Sequence, residues 1–543
     1  MLRAPARVLS ALAALVMLAS CGGDGGGGDG ADEDAARTLH RGNVAEPISL
    51  DPHKIQGVWE DVIVGDMFIG LYTENAAGEA VPGMVEGSPV VSEDGLVWTF
   101  TLREASWSDG APVTAEDFEY AFRRILDPAT LSEYASLLYL IKNAEAVNMG
   151  EAPPEAVGVH ALDARTLEIE LEHPAAYLPG LLTHQTTYPV PAHIVSEVGD
   201  AWIRPENIEV NGPYKLVDWR TNDFVHVHRN ALFFDNENVC YDDVYYYPTT
   251  DNNVAERRVR DGELDLNTDF PGTRLEFFRE RIPDYVHVHP YLNTVYLSFN
   301  TTIAPFDDVR VRTALSMAID RDFIVNEMLA DGRTVARSDV PPGVANYPGG
   351  AAIEWIDRPI EERRAEARRL LEAAGFGPDN PLRFEYRHRN TRDNPRVAPV
   401  LQSDWRQIAP WVDVDISSID TQIHYQNLRA KDFQVADGGW VADYNDAQNF
   451  LFLHETSAGP MNYPGWSSAE YDRLMEESSR ILDPAERAAV LAQAEQIMLD
   501  ASPIAPLWHE PNKALVNPRV GGWVDNIVDK HRTRYLCPVD MQP

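Results

Sequence analysis

Apolar and polar positions change period repeatedly along this chain. Val97-Trp98-Thr99-Phe100-Thr101-Leu102 alternates residue by residue, which predicts a strand with one buried face. Thr114 follows, with Asp117 three residues on. Phe118, Ala121, Phe122 and Ile125 then recur at helical spacing, so a helix capped by Thr114 is predicted. Residues 166–171, 224–228 and 295–299 alternate again as strands. The C-terminal part becomes helix-rich: residues 361–374 end at Gly375, residues 396–408 follow, and two further helices are separated by Asp483-Pro484. Strand and helix signals intermix without an internal repeat. This predicts an α/β architecture of mixed sheets flanked by helices.

The first residues follow a different logic. Arg3 and Arg7 precede an apolar run, residues 8–19, too short to span a ~30 Å hydrocarbon core and built like a secretory signal. Leu18-Ala19-Ser20-Cys21 resembles the bacterial lipobox. That resemblance implies that residues 1–20 are a lipoprotein signal peptide and that Cys21 receives the lipid. Residues 21–37 are rich in glycine and aspartate and read as a tether. The expected location is extracytoplasmic, lipid-anchored to the cell membrane on the periplasmic side or the cell surface. No later stretch is long and apolar enough to span a bilayer.

Composition narrows the function. At ~150 residues per domain, 543 residues give three or four lobes. A formal charge of −39 repels phosphate backbones, which excludes nucleic acid as an expected partner. Lysine occurs only at positions 54, 142, 215, 431, 513 and 530. Three cysteines exclude a disulfide-rich scaffold and a four-cysteine zinc site. Beyond Cys21, Cys240 and Cys537 form an even pair in an oxidising compartment; a disulfide is predicted, two buried free thiols being the alternative. A phosphate loop, Gly-x-Ser-x-Gly and His-Glu-x-x-His are all missing, so no enzyme is indicated and no cofactor is expected. Two His-x-His pairs occur, His226/His228 and His287/His289. Each supplies at most half a metal site, so both are read as solvent-facing strand positions and no metal is expected.

Several segments, in one order, carry a resemblance. They are residues 49–55 (Ser-Leu-Asp-Pro-His-Lys-Ile), 97–100 (Val-Trp-Thr-Phe), 107–118 (Trp-Ser-Asp-Gly-Ala-Pro-Val-Thr-Ala-Glu-Asp-Phe), 211–214 (Asn-Gly-Pro-Tyr), 307–315 (Asp-Asp-Val-Arg-Val-Arg-Thr-Ala-Leu) and 439–445 (Gly-Trp-Val-Ala-Asp-Tyr-Asn). From about residue 38 onward the chain resembles the family-5 solute-binding components of peptide ABC importers, in their oligopeptide- and murein-peptide-binding branch. The resemblance implies a two-lobed periplasmic-binding-protein-like fold (type II, cluster C) with an extra domain. Domain I would be residues 38–68, 193–292 and 511–543, domain II residues 69–192 and domain III residues 293–510, with the hinge near 292 and 510. It also implies a monomer that captures a short peptide and delivers it to a permease driven by a separate ATPase. Alternatives are a sensor or adhesion lipoprotein on the same scaffold, or a receptor for murein peptide, a nickel chelate or another solute.

Residue by residue, the resemblance assigns Asp443 and Tyr134 to the peptide α-ammonium. It assigns Gly439, Trp440 and Val441 to main-chain and cleft contacts, Gly57 and Val58 to the facing lobe, and Asn267, Thr268 and Asp269 to a ligand-lining turn. Arg429 matches an arginine at the far end of the ligand. Asp437 stands where the oligopeptide-binding member has an arginine, Pro395 where it has a histidine, and Gln422 where it has a tryptophan. An aspartate facing the ligand predicts a preference for neutral or basic peptides. The family's own disulfide positions correspond to Asn293 and Val441, so Cys240 and Cys537 would form a different bridge.

Overall fold

The computed structural model describes residues 37–390 and 393–541. Residues 1–36, and with them Cys21 and its lipobox, lie outside the described residues.

Three main sheets organise the chain. A seven-stranded sheet runs in the order Val286–Pro290, Pro511–Val516, Leu266–Asn267, Thr38–Asn43, Asp243–Pro248, Phe224–Arg229, Tyr214–Arg220. Thr38–Asn43 lies parallel to Asp243–Pro248, and the outer strands are antiparallel. A four-stranded antiparallel sheet contains Val97–Thr101 beside Thr166–Glu170. A six-stranded mixed sheet runs Thr334–Val335, Ile504–His509, Asn293–Phe299, Val435–Val441, Leu382–Arg389, Val412–Ile419.

The elements follow from the patterns. Trp98 and Phe100 are buried while Thr101 is exposed. The helix Ala115–Leu126 starts where Asp117 accepts a hydrogen bond from the Thr114 N–H at 2.9 Å. Its apolar stripe, Phe118, Ala121, Phe122 and Ile125, is at most 1% exposed. Phe118, Phe122 and Ile125 each contribute ~1.5–3 kcal/mol of burial. The C-terminal helices are Ile360–Ala373, Asn394–Arg406, Ala469–Arg480 and Pro484–Ala501. Pro395 falls in the first turn, where its missing N–H has no intrahelical partner to lose.

Two extended segments pass side by side from the seven-stranded sheet to the six-stranded one. Val286–Pro290 continues into Asn293–Phe299, and Ile504–His509 continues into Pro511–Val516. They pair within each sheet, and between the sheets the Tyr291 N–H donates to the Glu510 carbonyl at 3.2 Å. The crossings therefore form one hydrogen-bonded ribbon under the cleft.

Cys240 and Cys537 are joined, with Cα atoms 5.2 Å apart and a sequence separation of 297. The bridge ties the C-terminal segment to the seven-stranded-sheet lobe. Of the two histidine pairs, His228 is exposed as expected, whereas His289 departs from a solvent-facing position. His226 and His228 both contact Asp243, at 2.6 and 3.1 Å. His289 is only 8% exposed, because the C-terminal segment around residues 523–531 covers that face of the strand.

Replacing both Cys240 and Cys537 by serine is expected to destabilise the protein by ~2–5 kcal/mol, since the closed loop is long. Denaturant unfolding of the oxidised protein and the double variant measures this.

Candidate functional site

Two contiguous cavities lie between the lobes. The larger, about 650 Å³, is lined by Tyr134, Arg389, Arg429, Gly439, Trp440, Val441 and Asp443 among others. The smaller, about 190 Å³, is lined by Gly57, Val58, Asp61, Glu74, His184, Asp443 and Lys530 among others. Tyr134, Val441 and Asp443 border both, so they mark the junction. The larger volume falls within the ~300–1,000 Å³ of ordinary ligand pockets.

One wall is the strand Val435–Val441. It pairs along its whole length with Asn293–Phe299, where Asn293 stands opposite Val441. On its other side the strand pairs with Leu382–Arg389 only at Val435 and Ala436. Among the described residues, the rest of that edge has no strand beside it. The Ala442 N–H bonds to the Leu292 carbonyl. Antiparallel alternation then turns the main-chain groups of Gly439 and Val441 toward the open edge, which faces the larger cavity. Val441 is 44% exposed there.

Asp443 follows the strand. Its N–H is held by Asn449 Oδ1 at 3.1 Å, which fixes the backbone. Its carboxylate makes no hydrogen bond or ion pair with a described residue. Burial raises its pKa to about 6, opposed by the positive charge of Lys530. Lys530 is already committed: its Nζ is 2.6 Å from Glu74 and 3.7 Å from Asp61. Burial disfavours ionisation of Asp61, but Arg532 and Lys530 outweigh it and hold that carboxyl at about 2. Asp61, Glu74 and Asp443 thus face two cations, Lys530 and Arg532. Buried His184 stays neutral, because burial and the charge of Lys530 push its pKa down to about 3. One negative charge is left for a ligand. Across the cleft Tyr134 faces the junction, its ring 5.4 Å from that of His184; burial and then Asp443 raise its pKa.

Gly57 and Val58 form the opposite lip. The Glu60 side chain sets their position: Oε2 accepts from the N–H groups of Gln56 (3.0 Å) and Gly57 (2.9 Å), and Oε1 from Ile48 (2.7 Å). Val58 is left 61% exposed toward the cavity.

The far end differs from expectation. Arg429 borders the larger cavity, exposed and without a hydrogen bond or ion pair to a described residue. Asp437 does not line it. Asp437 is 2% exposed, and its carboxylate accepts from Arg389 Nε (2.6 Å), the Arg389 N–H (2.8 Å) and Asn394 (3.1 Å). What the cavity meets is the Arg389 guanidinium, held also by the Tyr425 hydroxyl at 2.8 Å. The basis for a neutral or basic preference therefore falls away: buried Asp437 neutralises a neighbouring strand instead of facing the ligand. Asn267, Thr268 and Asp269 line neither cavity. The Asn267 amide donates to the Asp269 carbonyl at 2.5 Å, and the Asp269 side chain accepts from Asn252 at 2.7 Å. That turn serves the seven-stranded sheet.

Sequence reading missed Asp61, Glu74, His184, Lys530 and Arg389. Lysine scarcity was the one available pointer, to Lys530.

Two sheet-based lobes, joined by a double crossing and facing each other over a polar cleft, define a two-lobed solute-binding protein. The chain belongs to family 5 of the bacterial extracellular solute-binding proteins, whose middle-region model matches residues 79–462. It is 38% identical over 509 residues to the periplasmic oligopeptide-binding protein OppA of Salmonella typhimurium, covering 91% of this chain and 92% of that one. Among solved structures it superposes on the unliganded open form of the periplasmic murein tripeptide-binding protein MppA with a TM-score of 0.85 at 33% identity, covering 92% and 97% of the two chains. Against Haemophilus influenzae OppA in complex with the peptide RPPGFSPFR the TM-score is 0.72 at 32% identity, covering 93% and 99%. Identity and coverage are nearly equal in the two comparisons.

In the ligand-free protein the Asp443 carboxyl is expected to titrate near 6. Carbon-13 NMR of aspartate side chains, with Asp443→Asn to assign the resonance, measures it.

Proposed function

We propose that this chain is the extracytoplasmic receptor of a peptide ABC importer: it captures a short peptide between its lobes and hands it to a permease driven by a separate ATPase. The observation that carries this reading is the Asp443 carboxylate, desolvated and unpaired beside an open strand edge. An α-ammonium supplies the missing charge, and a peptide backbone supplies donors and acceptors at the spacing the Gly439 and Val441 edge requires. Tyr134 assists at the same ammonium, and Gly57 and Val58 meet the peptide from the other lobe on closure. The family relatives named for oligopeptide and murein-tripeptide binding support the substrate class.

Closure follows from differential affinity, because only the closed form contacts ligand from both sides. The division into domain I (38–68, 193–292, 511–543), domain II (69–192) and domain III (293–510), with the paired crossings as hinge, belongs to this proposal; it agrees with the way the strands partition among the three sheets. So do the monomeric state and the lipid on Cys21, supported by the lipobox and the glycine-rich tether.

At the far end Arg389 and Arg429 present positive charge, which suits a peptide carboxylate. A peptide long enough to reach them is expected to lose ~1.5–3 kcal/mol of binding when its C-terminus is amidated. Calorimetry with the paired peptides tests this, and Arg429→Gln should shrink the difference. Asp443→Ala is expected to cost ~2–5 kcal/mol of peptide binding. Unchanged affinity would show that the ammonium is held elsewhere.

The pH dependence has a definite sign. The free site binds a proton with a pKa of about 6, and an ammonium beside Asp443 lowers that value in the complex. Below about 6 binding must expel the proton, so affinity falls by up to ~10-fold per pH unit and levels off above. Asp443→Asn should flatten this limb of the profile.

A further inference from the structure

Beside the crossing ribbon, and lining neither cavity, His289, Asp529 and His531 each bring one ligand atom within 4.8 Å of the others. His289 ends the strand Val286–Pro290, and Asp529 and His531 flank Lys530 on the returning C-terminal segment. The His289 ring is set for coordination. Its Nδ1 lies 3.2 Å from the Pro290 carbonyl, which can only accept, so Nδ1 carries the proton and Nε2 keeps its lone pair. That Nε2 is buried without a hydrogen-bond partner, its nearby carboxylate oxygen on Asp525 being 4.0 Å away. A carbonyl behind the distal nitrogen is the arrangement that orients histidine ligands of metals.

The other two groups are also held. The His531 ring stacks on Trp523 at 3.6 Å between centroids, and its Nε2 faces Asp529 Oδ1 at 3.3 Å. Its Nδ1 has only a 3.4 Å contact with the Asn526 amide, too long to oppose a change of tautomer. Around the trio, Asp525 is anchored by His287 and by Trp523, each at 2.9 Å. Arg41 is the neighbouring cation, and its charge is met by Asp66 at 3.6 Å. By contrast, His226 and His228 both spend a ring nitrogen on the same Asp243 oxygen.

We propose that His289, Asp529 and His531 form a binding site for a divalent transition ion of the zinc type, separate from the peptide cleft. Two imidazoles and one carboxylate suit such an ion, with water as fourth ligand. Ligand atoms around an ion with ~2.1 Å bonds stand ~3.4 Å apart, so the trio must contract. Asp529, its side chain 26% exposed on a turn, can supply that movement. An ion here fastens the residues on both sides of Lys530 to the strand leading into the crossing.

The test is titration of the full chain, stripped with chelator, with Zn²⁺ by calorimetry and with Co²⁺ by visible absorption. One equivalent is expected, with a d–d spectrum of nitrogen and oxygen ligation. His289→Gln and Asp529→Asn should each weaken binding by ~100-fold or more, while the His226→Gln/His228→Gln double variant should leave it unchanged. Asp529→Asn, at a partly exposed turn position, covers the case in which His289→Gln does not fold. Absence of a one-equivalent site in the unmodified protein, full binding in the His289 or Asp529 variant, or loss in the His226/His228 variant would each overturn the proposal.

Discussion

A carboxylate taken out of water without a cation beside it is the constraint around which the cleft is built. Asp443 could have been neutralised by Lys530, and the fold prevents that by giving Lys530 to Glu74 and Asp61. Arg532 in turn is shared between Asp61 and Glu74, at 3.2 and 3.5 Å. Of the three carboxylates lining the smaller cavity, Asp61 and Glu74 are paired with these cations and Asp443 is not. Burial then keeps the cost of that vacancy high enough for a ligand charge to matter.

The same economy operates at the other end with the opposite sign. Asp437 does not make that end acidic, because Arg389 arrives from the adjacent strand and takes up the carboxylate, leaving its other N–H groups for the Tyr425 hydroxyl and the cavity.

What was legible in the sequence was whatever is encoded locally. The alternation at Val97–Thr101, the Thr114–Asp117 start and the 3.6-residue stripe of Phe118, Ala121, Phe122 and Ile125 each need only their near neighbours. Asp443 and Val441 were legible because Trp-Val-Ala-Asp-Tyr is a contiguous motif. The pairing of Arg389 with Asp437 was not, since it exists only once two strands lie together. His289 was misjudged for a related reason: alternation assigns a face, but the segment that covers this face is supplied by residues more than 230 positions later, as the His287–Asp525 contact shows with its separation of 238. Asn267 and Asp269 failed because a turn can keep its composition while its side chains are spent on internal hydrogen bonds.

The position of Pro511–Val516 has a consequence for biogenesis. This strand fills an interior place in the seven-stranded sheet, between Val286–Pro290 and Leu266–Asn267, although it is made more than 200 residues after both of them. A polypeptide emerging amino-end first would carry that lobe with a gap in its sheet until residues 511–516 follow. Oxidation of Cys537 onto Cys240, and delivery of Lys530 and Arg532 to the cleft, come only with the same final stretch. Covalent closure of that lobe and completion of the charge network beside Asp443 therefore arrive together.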